Sequence, residues 1–284
     1  MALDVSVHGL TDTVQRAPSK RAFTLHSQHK ARRRFGQHFL VDRAYINDTI
    51  QAIDPRAQDR VVEIGPGLGA LTAPLLERLE RLHVVEIDRD IVARLVSRFA
   101  SQQLIVHQGD ALRFDFGSLG PKLRIIGNLP YNISSPLLFH AAQFVSIIRD
   151  CHFMLQREVV DRMAAGPGSR TRGRLSVMLQ YRFQVAKLFD VPAGAFRPVP
   201  RVGSAFVRLT PHALPPARAH DERVLEALVT KAFGQRRKTV RNALADFVSA
   251  QELTALGIDP GLRPEALSQD DFVRLANALA RRDG

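Results

Sequence analysis

The chain has 284 residues, 45% of them hydrophobic, with Lys and Arg outnumbering Asp and Glu by 40 to 28 for a formal charge of +12. That length suits one large domain with a small one attached. The charge points to a polyanion, nucleic acid first, against the plainer reading of a solvated cationic surface. A single cysteine, Cys151, excludes internal disulfides and Cys-rich metal sites and fits a reducing compartment, with Cys151 itself a small buried hydrophobe in "CHFML".

In chain order, the first residues mix Asp4 and Asp12 with scattered basic and polar groups and lack the apolar region of a signal peptide. Residues 1–30 are therefore expected to be a mobile basic tail. With no apolar run of membrane-spanning length, a soluble, cytoplasmic protein is expected. Order is expected to begin around "ARRRFGQHFLVD" (31–42). "RVVEIGPGLGALTAPLLERL" passes from a β-branched run through a Gly-rich turn into a helix pattern, and "LHVVEIDRDIVARLVSRFA" repeats the order. "LIVHQGDALRFDF" supplies a third strand. "KLRIIGNLP" is a fourth, followed by a helix in "SSPLLFHAAQFV". "CHFMLQREVVDRMAAG" gives a fifth strand and a further helix. Near-continuous apolar strands alternating with helices predict an α/β fold, a doubly wound, Rossmann-like parallel sheet covered on both faces.

"GPGSRTRGR" (166–174) reads as a loop. "FQVAKLFDVP" and "SAFVRLT" read as two more strands that could pair as a hairpin at the sheet edge. The three prolines of "PHALPPARA" (211–219) mark a linker. Short helical pieces follow. The expected organisation is a sheet domain over 31–211 and a small all-helical domain over 220–284.

The chemistry collects at strand ends. Gly65, Gly67 and Gly69 lie between the first strand and its helix, where glycine lets the backbone approach a ligand. Their G-x-G-x-G spacing is not the G-x-G-x-x-G of dinucleotide enzymes, and no Lys-Ser/Thr follows to make a P-loop. Glu86 ends the second strand, where a carboxylate can accept both hydroxyls of a ribose; its plainer reading is an exposed charge at a strand end. Asp110 ends the third, where a carboxylate can accept from the exocyclic amine of an adenine. Together they imply an adenosine-containing cofactor at the carboxyl edge of the sheet.

The fourth strand delivers Asn128 to that edge, followed by Leu129, Pro130 and Tyr131. Asn and Pro are common turn formers and Tyr131 could be a core residue. The chemical reading is sharper. A nucleobase amine is a poor nucleophile because its lone pair is conjugated into the ring. The side-chain oxygen of Asn128 and the backbone oxygen of Leu129 can accept its two N–H bonds, Pro130 fixes the turn, and Tyr131 offers a face on which a flipped base stacks.

"EIGPGLG", "VVEIDRD", "GDAL" and "GNLPYNISSP" resemble the motifs of the ribosomal RNA adenine N6,N6-dimethyltransferases. "FGQHFLVD", "HFMLQREVVDRM", "GRLSVMLQY", "FRPVPRVGSAFVRL" and "FGQRRKTVRNAL" are similar to the bacterial small-subunit branch, and the resemblance runs from about Arg32 to the C-terminus. It implies transfer of methyl groups from S-adenosylmethionine to N6 of two adjacent adenosines near the 3′ end of 16S rRNA, in the immature small subunit, by a monomer that needs no metal. The cofactor contacts it implies are Leu40, Gly65, Glu86, Asp110 and Asn128, with His38 donating to the cofactor carboxylate from a position where the family normally has Asn. Phe196 is implied as an aromatic wall for the target base, opposite Tyr131. Read alone, Phe196 is also a plausible core residue before a Pro-rich turn.

The basic clusters "ARRRFG", "SRTRGR" and "GQRRKTVR" (234–241) fit an RNA partner when taken together, although any one is more often a solvated face. The ten histidines show no metal-ligand spacing. Two other readings stand beside the favoured one: a related large-subunit rRNA dimethyltransferase, which the "FGQRRKTVRNAL" block argues against, and an assembly or RNA-binding factor that keeps the fold without catalysis.

Overall fold

The computed structural model describes residues 37–213, 217–235 and 237–282. The expected tail over 1–30, the arginines at 32–34, part of the Pro-rich linker and Arg236 lie outside the described residues. The described residues form one compact unit.

The unit opens with a two-residue strand, β1 (Phe39–Leu40), and a helix, α1 (Arg43–Ile53), which starts where the Asp42 carboxylate accepts the Ala44 amide. The apolar runs then become parallel strands: β2 (Val61–Ile64), β3 (Leu82–Glu86), β4 (Leu104–Gln108), β5 (Leu123–Asn128) and β6 (Ile148–Gln156). Every residue of β2 is buried, as a strand covered on both faces must be. Helices α2 (Thr72–Leu76), α3 (Arg89–Arg98) and α4 (Ser134–Ala142) connect them, while the β4–β5 crossover carries only a 3₁₀ turn at Phe116–Leu119.

After α5 (Arg157–Met163) and α6 (Arg174–Arg182) come β7 (Phe183–Val191), a two-residue β8 (Phe196–Arg197) and β9 (Ser204–Pro211). The seven-stranded order is β4-β3-β2-β5-β6-β9-β7. Strands β9 and β7 pair antiparallel at the edge expected for a hairpin, with β9 against β6. Because β3 and β4 extend the sheet one way from β2 and β5 extends it the other, the order reverses between β2 and β5. A crevice for ligands opens at the carboxyl ends of these two strands. Separately, β1 pairs with β8, Leu40 opposite Phe196, which straps the start of the described chain to the 196–203 segment.

One face of the sheet packs Ile125, Phe153 and Leu155 against Leu137, Leu138 and Phe116; the other packs Val84, Ile126 and Phe206 against Leu75, Ile91 and Leu95. A third cluster holds α7 (Glu222–Phe233), α8 (Val240–Ala243), α9 (Ala250–Ala255) and α10 (Gln269–Ala280) together through Leu228, Val240, Leu253 and Phe272. Val177, Met178 and Tyr181 of α6 belong to that third cluster, and Leu175 and Leu179 to the sheet's own. Helix α6 thus serves two cores.

Charge is buried at the amino edge of the sheet, opposite the crevice. Arg124 is enclosed between Asp59 and Asp150, at 2.7 and 2.9 Å, and also donates to the Ile53 carbonyl. Both carboxyls are held below the usual range despite burial, Asp150 by the nearby His152 ring and by Arg124, and Asp59 by the Arg56 amide and Arg124. A buried guanidinium that is fully paired is a structural device.

Candidate active site

The crevice is built by what each strand does at its end. Leaving β2, Gly65 and Gly67 take φ of +62° and +54°, where side-chained residues are strained, and a Cβ on Gly65 would point into open space. A Cβ on Gly67 would press on the Phe39 ring at 3.0 Å, so β1 lies directly against the turn. Gly127, just before Asn128, is equally constrained: a Cβ there would meet the Ile64 carbonyl at 2.8 Å. These glycines let β2 and β5 come together beneath an open, backbone-lined cradle.

Glu86 stands at the end of β3, 6% exposed, with Oε1 accepting the Asp88 amide at 2.9 Å. Burial pushes its carboxyl up, and the amides of Asp88, Ile87 and Gly67 pull it back down. Asp110 follows β4 and accepts the Leu112 amide at 2.9 Å. Next to Glu86 in the chain, Ile87 is 48% exposed, a large apolar side chain left uncovered. An open glycine turn, a buried carboxylate, a second carboxylate and an uncovered apolar surface at one switch point fit an adenosine moiety.

Beneath the turn lies a residue missed in the sequence. Glu63 is 2% exposed, and its Oε2 accepts the hydroxyl of Thr72 at 2.7 Å. Burial lifts its carboxyl to about 7, opposed by the Thr72 bond and reinforced by the charge of Glu86. In "VVEIG" Glu63 looked like one more strand residue, and nothing local signalled that Thr72 would cap it.

Asn128 ends β5, and its Nδ2 donates to the His38 carbonyl at 2.9 Å. A carbonyl only accepts, so the amide nitrogen must be the arm that faces it and Oδ1 the arm turned away. Leu129 is buried and donates its amide to Met154, ending the ladder. The Ser134 hydroxyl donates to the Pro130 carbonyl at 3.0 Å and seats the turn on α4. Tyr131 is partly buried, its hydroxyl paired with Ser204 Oγ at 2.9 Å and its ionisation pushed up by burial. Ser204, 73 residues away in the chain and 1% exposed, gave no sequence signal for this contact.

Two residues sit otherwise than the resemblance implied. Phe196 is fully buried, its ring in the cluster with Leu40, Val191 and Phe206, so it offers no open face to a base. An apolar ring on a strand paired with Leu40 gains more from that packing than from solvent. The ring that stacks on Tyr131 is His38, with centroids 5.4 Å apart and planes at 27°. His38 Nδ1 lies 2.8 Å from the Pro198 carbonyl and must carry the proton of that bond. In the neutral ring Nε2 is then an acceptor, so donation to a cofactor carboxylate would need a doubly protonated ring.

The basic clusters divide as well. Of the three arginines in "SRTRGR", Arg172 is 4% exposed and donates to the Ala165 carbonyl, and Arg174 pairs with Glu226 and covers Phe139. Arg170 alone of the three is exposed. Arg237, Lys238 and Arg241 are exposed between α7 and the start of α8. Among the described residues, no group of three or more His, Cys, Asp or Glu could hold a metal, and no helix is long and apolar enough to cross a membrane.

Known proteins fall in line with this arrangement. A protein from Aromatoleum aromaticum named ribosomal RNA small subunit methyltransferase A is 57% identical over 256 residues, covering 90% of this chain and 97% of the relative. The protein of that name from Pseudomonas syringae is 55% identical over 259 residues, covering 90% and 97%. Among solved structures, a dimethyladenosine transferase from Plasmodium falciparum superposes with a TM-score of 0.73 at 23% identity, over 87% of this chain and 98% of that one. The 23S rRNA methyltransferase ErmE gives 0.68 at 24% identity, over 85% and 99%. At that identity these two speak for the fold. The family model described as ribosomal RNA adenine dimethylase matches residues 28–281, and the chain belongs to that family.

Proposed function

We propose that the chain transfers methyl groups from S-adenosylmethionine to N6 of two adjacent adenosines near the 3′ end of 16S rRNA, acting as a monomer on the immature small subunit. The observation that carries this reading is the amide of Asn128, pinned by its nitrogen to the His38 carbonyl so that its oxygen is turned away, at the sheet edge that also holds Glu86. The choice of subunit is supported by relatives 53% to 57% identical that are named for the small subunit.

The cofactor supplies a methyl group bound to a positively charged sulfur. Gly65 would give its methionine part backbone access, Glu86 would take the ribose hydroxyls, Ile87 would cover a face of the adenine, Asp110 would accept its amine, and Leu40, whose side chain is buried with Phe196, would reach the cofactor only through its main chain. Asn128 Oδ1 and the Leu129 carbonyl accept the two N–H bonds of the target amine. That draws the nitrogen toward a tetrahedral shape and aims its lone pair outward, with no strong base required. Tyr131, held by Ser204, supplies the stacking face. Phe196 backs this wall from within the core. Arg170, Arg237, Lys238 and Arg241 position the RNA through its phosphates, and residues 220–284 form the RNA-binding part.

The test is single-turnover methylation of unmethylated small subunits, read by mass spectrometry of the rRNA, with subunit binding measured in parallel. Asn128→Ala should lose methyl transfer while still binding subunits. Tyr131→Ala should weaken capture of the flipped base by about 1–3 kcal/mol, the worth of one base stack. Asn128→Ala methylating at the wild-type rate would mean that the Asn-Leu-Pro-Tyr turn is only structural. Subunit binding with no methylation by the wild type would favour an assembly factor.

A further inference from the structure

Methylating an exocyclic amine leaves a proton to dispose of, and the groups assigned above do not take it. The nitrogen lone pair forms the new bond to the methyl carbon as the carbon–sulfur bond breaks and its pair returns to sulfur, so the sulfur becomes neutral and the nitrogen carries four bonds and a positive charge. Neutrality returns when one N–H proton departs and its bonding pair goes back to nitrogen. The oxygens of Asn128 and Leu129 are amide oxygens, too weakly basic to keep a proton. The Tyr131 hydroxyl is engaged with Ser204 and pushed toward its neutral form by burial. Glu86 is held by main-chain amides at the cofactor end of the crevice.

Resting on the methyl-transfer reading above, we infer that His38 is a further catalytic residue whose Nε2 accepts the proton shed by the methylated amine. Three observations place it there. The 2.8 Å bond to the Pro198 carbonyl fixes the ring proton on Nδ1, which leaves the Nε2 lone pair open in the neutral ring. The ring lies against Tyr131, 5.4 Å between centroids, on the turn that presents the two accepting oxygens. The main-chain oxygen of the same residue holds the Asn128 amide at 2.9 Å. The group that orients the amine and the group that takes its proton are thus two ends of one linked unit.

Among the described residues none forms an ion pair with His38. The paired strand β8 brings Arg197, whose guanidinium is turned to the Gly194 and Phe196 carbonyls, and the turn brings the neutral Tyr131. His38 is only partly buried, so the imidazolium can pass its proton to water and be ready for the second methylation.

The test compares the wild type with His38→Asn and His38→Gln, both of which keep the main-chain oxygen that holds Asn128. Single-turnover rates on unmethylated small subunits are measured at saturating S-adenosylmethionine from about pH 5 to 8, where imidazoles change charge. Cofactor affinity is measured by calorimetry, and the ring tautomer by nitrogen NMR of the labelled, ligand-free protein. The wild-type rate should rise with pH. Both variants should show a flat profile, about 10²-fold lower at the alkaline end, the lower bound usual for general-base help, with cofactor affinity within twofold of the wild type. The NMR should show the proton on Nδ1. Any of three results overturns the inference: variants that keep the wild-type rate and acid limb, a proton on Nε2 in the neutral ring, or a loss confined to cofactor affinity with the saturating rate intact. Wild-type protein that methylates nothing overturns the methyl-transfer reading itself, and this inference with it.

Discussion

Replacing Glu63 with Gln should make the protein more resistant to alkaline conditions, for reasons that lie in one buried carboxyl. Glu63 is 2% exposed with a hydroxyl, Thr72, as its hydrogen-bonding partner, and Glu86 nearby adds like charge; its carboxyl is lifted from 4.5 to about 7. Because the folded value lies above the unfolded one, the folded state binds more protons than the unfolded state between the two. Stability from this group is fully present below about pH 4.5 and drains away as pH rises through about 7. At 1.36 kcal/mol per unit, the rise is worth about 3 kcal/mol, an order-of-magnitude figure. Gln keeps an oxygen for Thr72 Oγ1 but cannot ionise. Urea unfolding of both proteins at pH 5 and pH 8 should therefore show the Gln variant gaining about 2.5 kcal/mol on the wild type over that interval, whatever their difference at pH 5. A gap that stays constant with pH, or moves the other way, would show that Glu63 is ionised in the folded protein and that the reasoning is wrong.

Three further outcomes are expected. Glu86→Ala should weaken S-adenosylmethionine binding by about 1–3 kcal/mol or more, the cost of a buried polar group left without its acceptor; unchanged affinity in calorimetry would remove Glu86 from the ribose site. Arg237→Ala with Lys238→Ala should flatten the salt dependence of RNA binding, the slope of log affinity against log salt dropping by about one per lost phosphate contact, while cofactor affinity holds; an unchanged slope would make the cluster a solvated face. Phe196→Ala should cost about 3–5 kcal/mol of stability, as for a fully enclosed ring, measured by chemical denaturation. A Phe196→Ala protein as stable as the wild type would restore Phe196 as an open wall for the base.

The central sheet was legible because parallel strands buried on both faces leave an unmistakable trace, as in "RVVEI" and "KLRII". The order of chemical groups along the carboxyl edge followed from it, since consecutive strands must deliver their last residues to the same side. Helix α6 was not legible. Its residues Leu175, Val177, Met178, Leu179 and Tyr181 are all buried because two cores claim them, and a helix without a wet face has no amphipathic period to find. Charge was misleading in "SRTRGR", where two of three arginines serve the protein's own packing, because sequence does not show which guanidinium finds a carbonyl. Contacts such as Tyr131 with Ser204 and His38, or Asn128 with the His38 carbonyl, join residues that only the closed fold brings together.

The double duty of α6 bears on how freely the C-terminal helices could be traded between relatives. Excising them would strip the cover from Val177, Met178 and Tyr181. A transplanted set would have to match that same strip of side chains, whatever RNA it was built to grip. The helices are therefore no detachable cassette. A change in what they recognise has to be worked out on their outer, solvent-facing surface, or be accompanied by rewriting of a helix that the sheet also depends on.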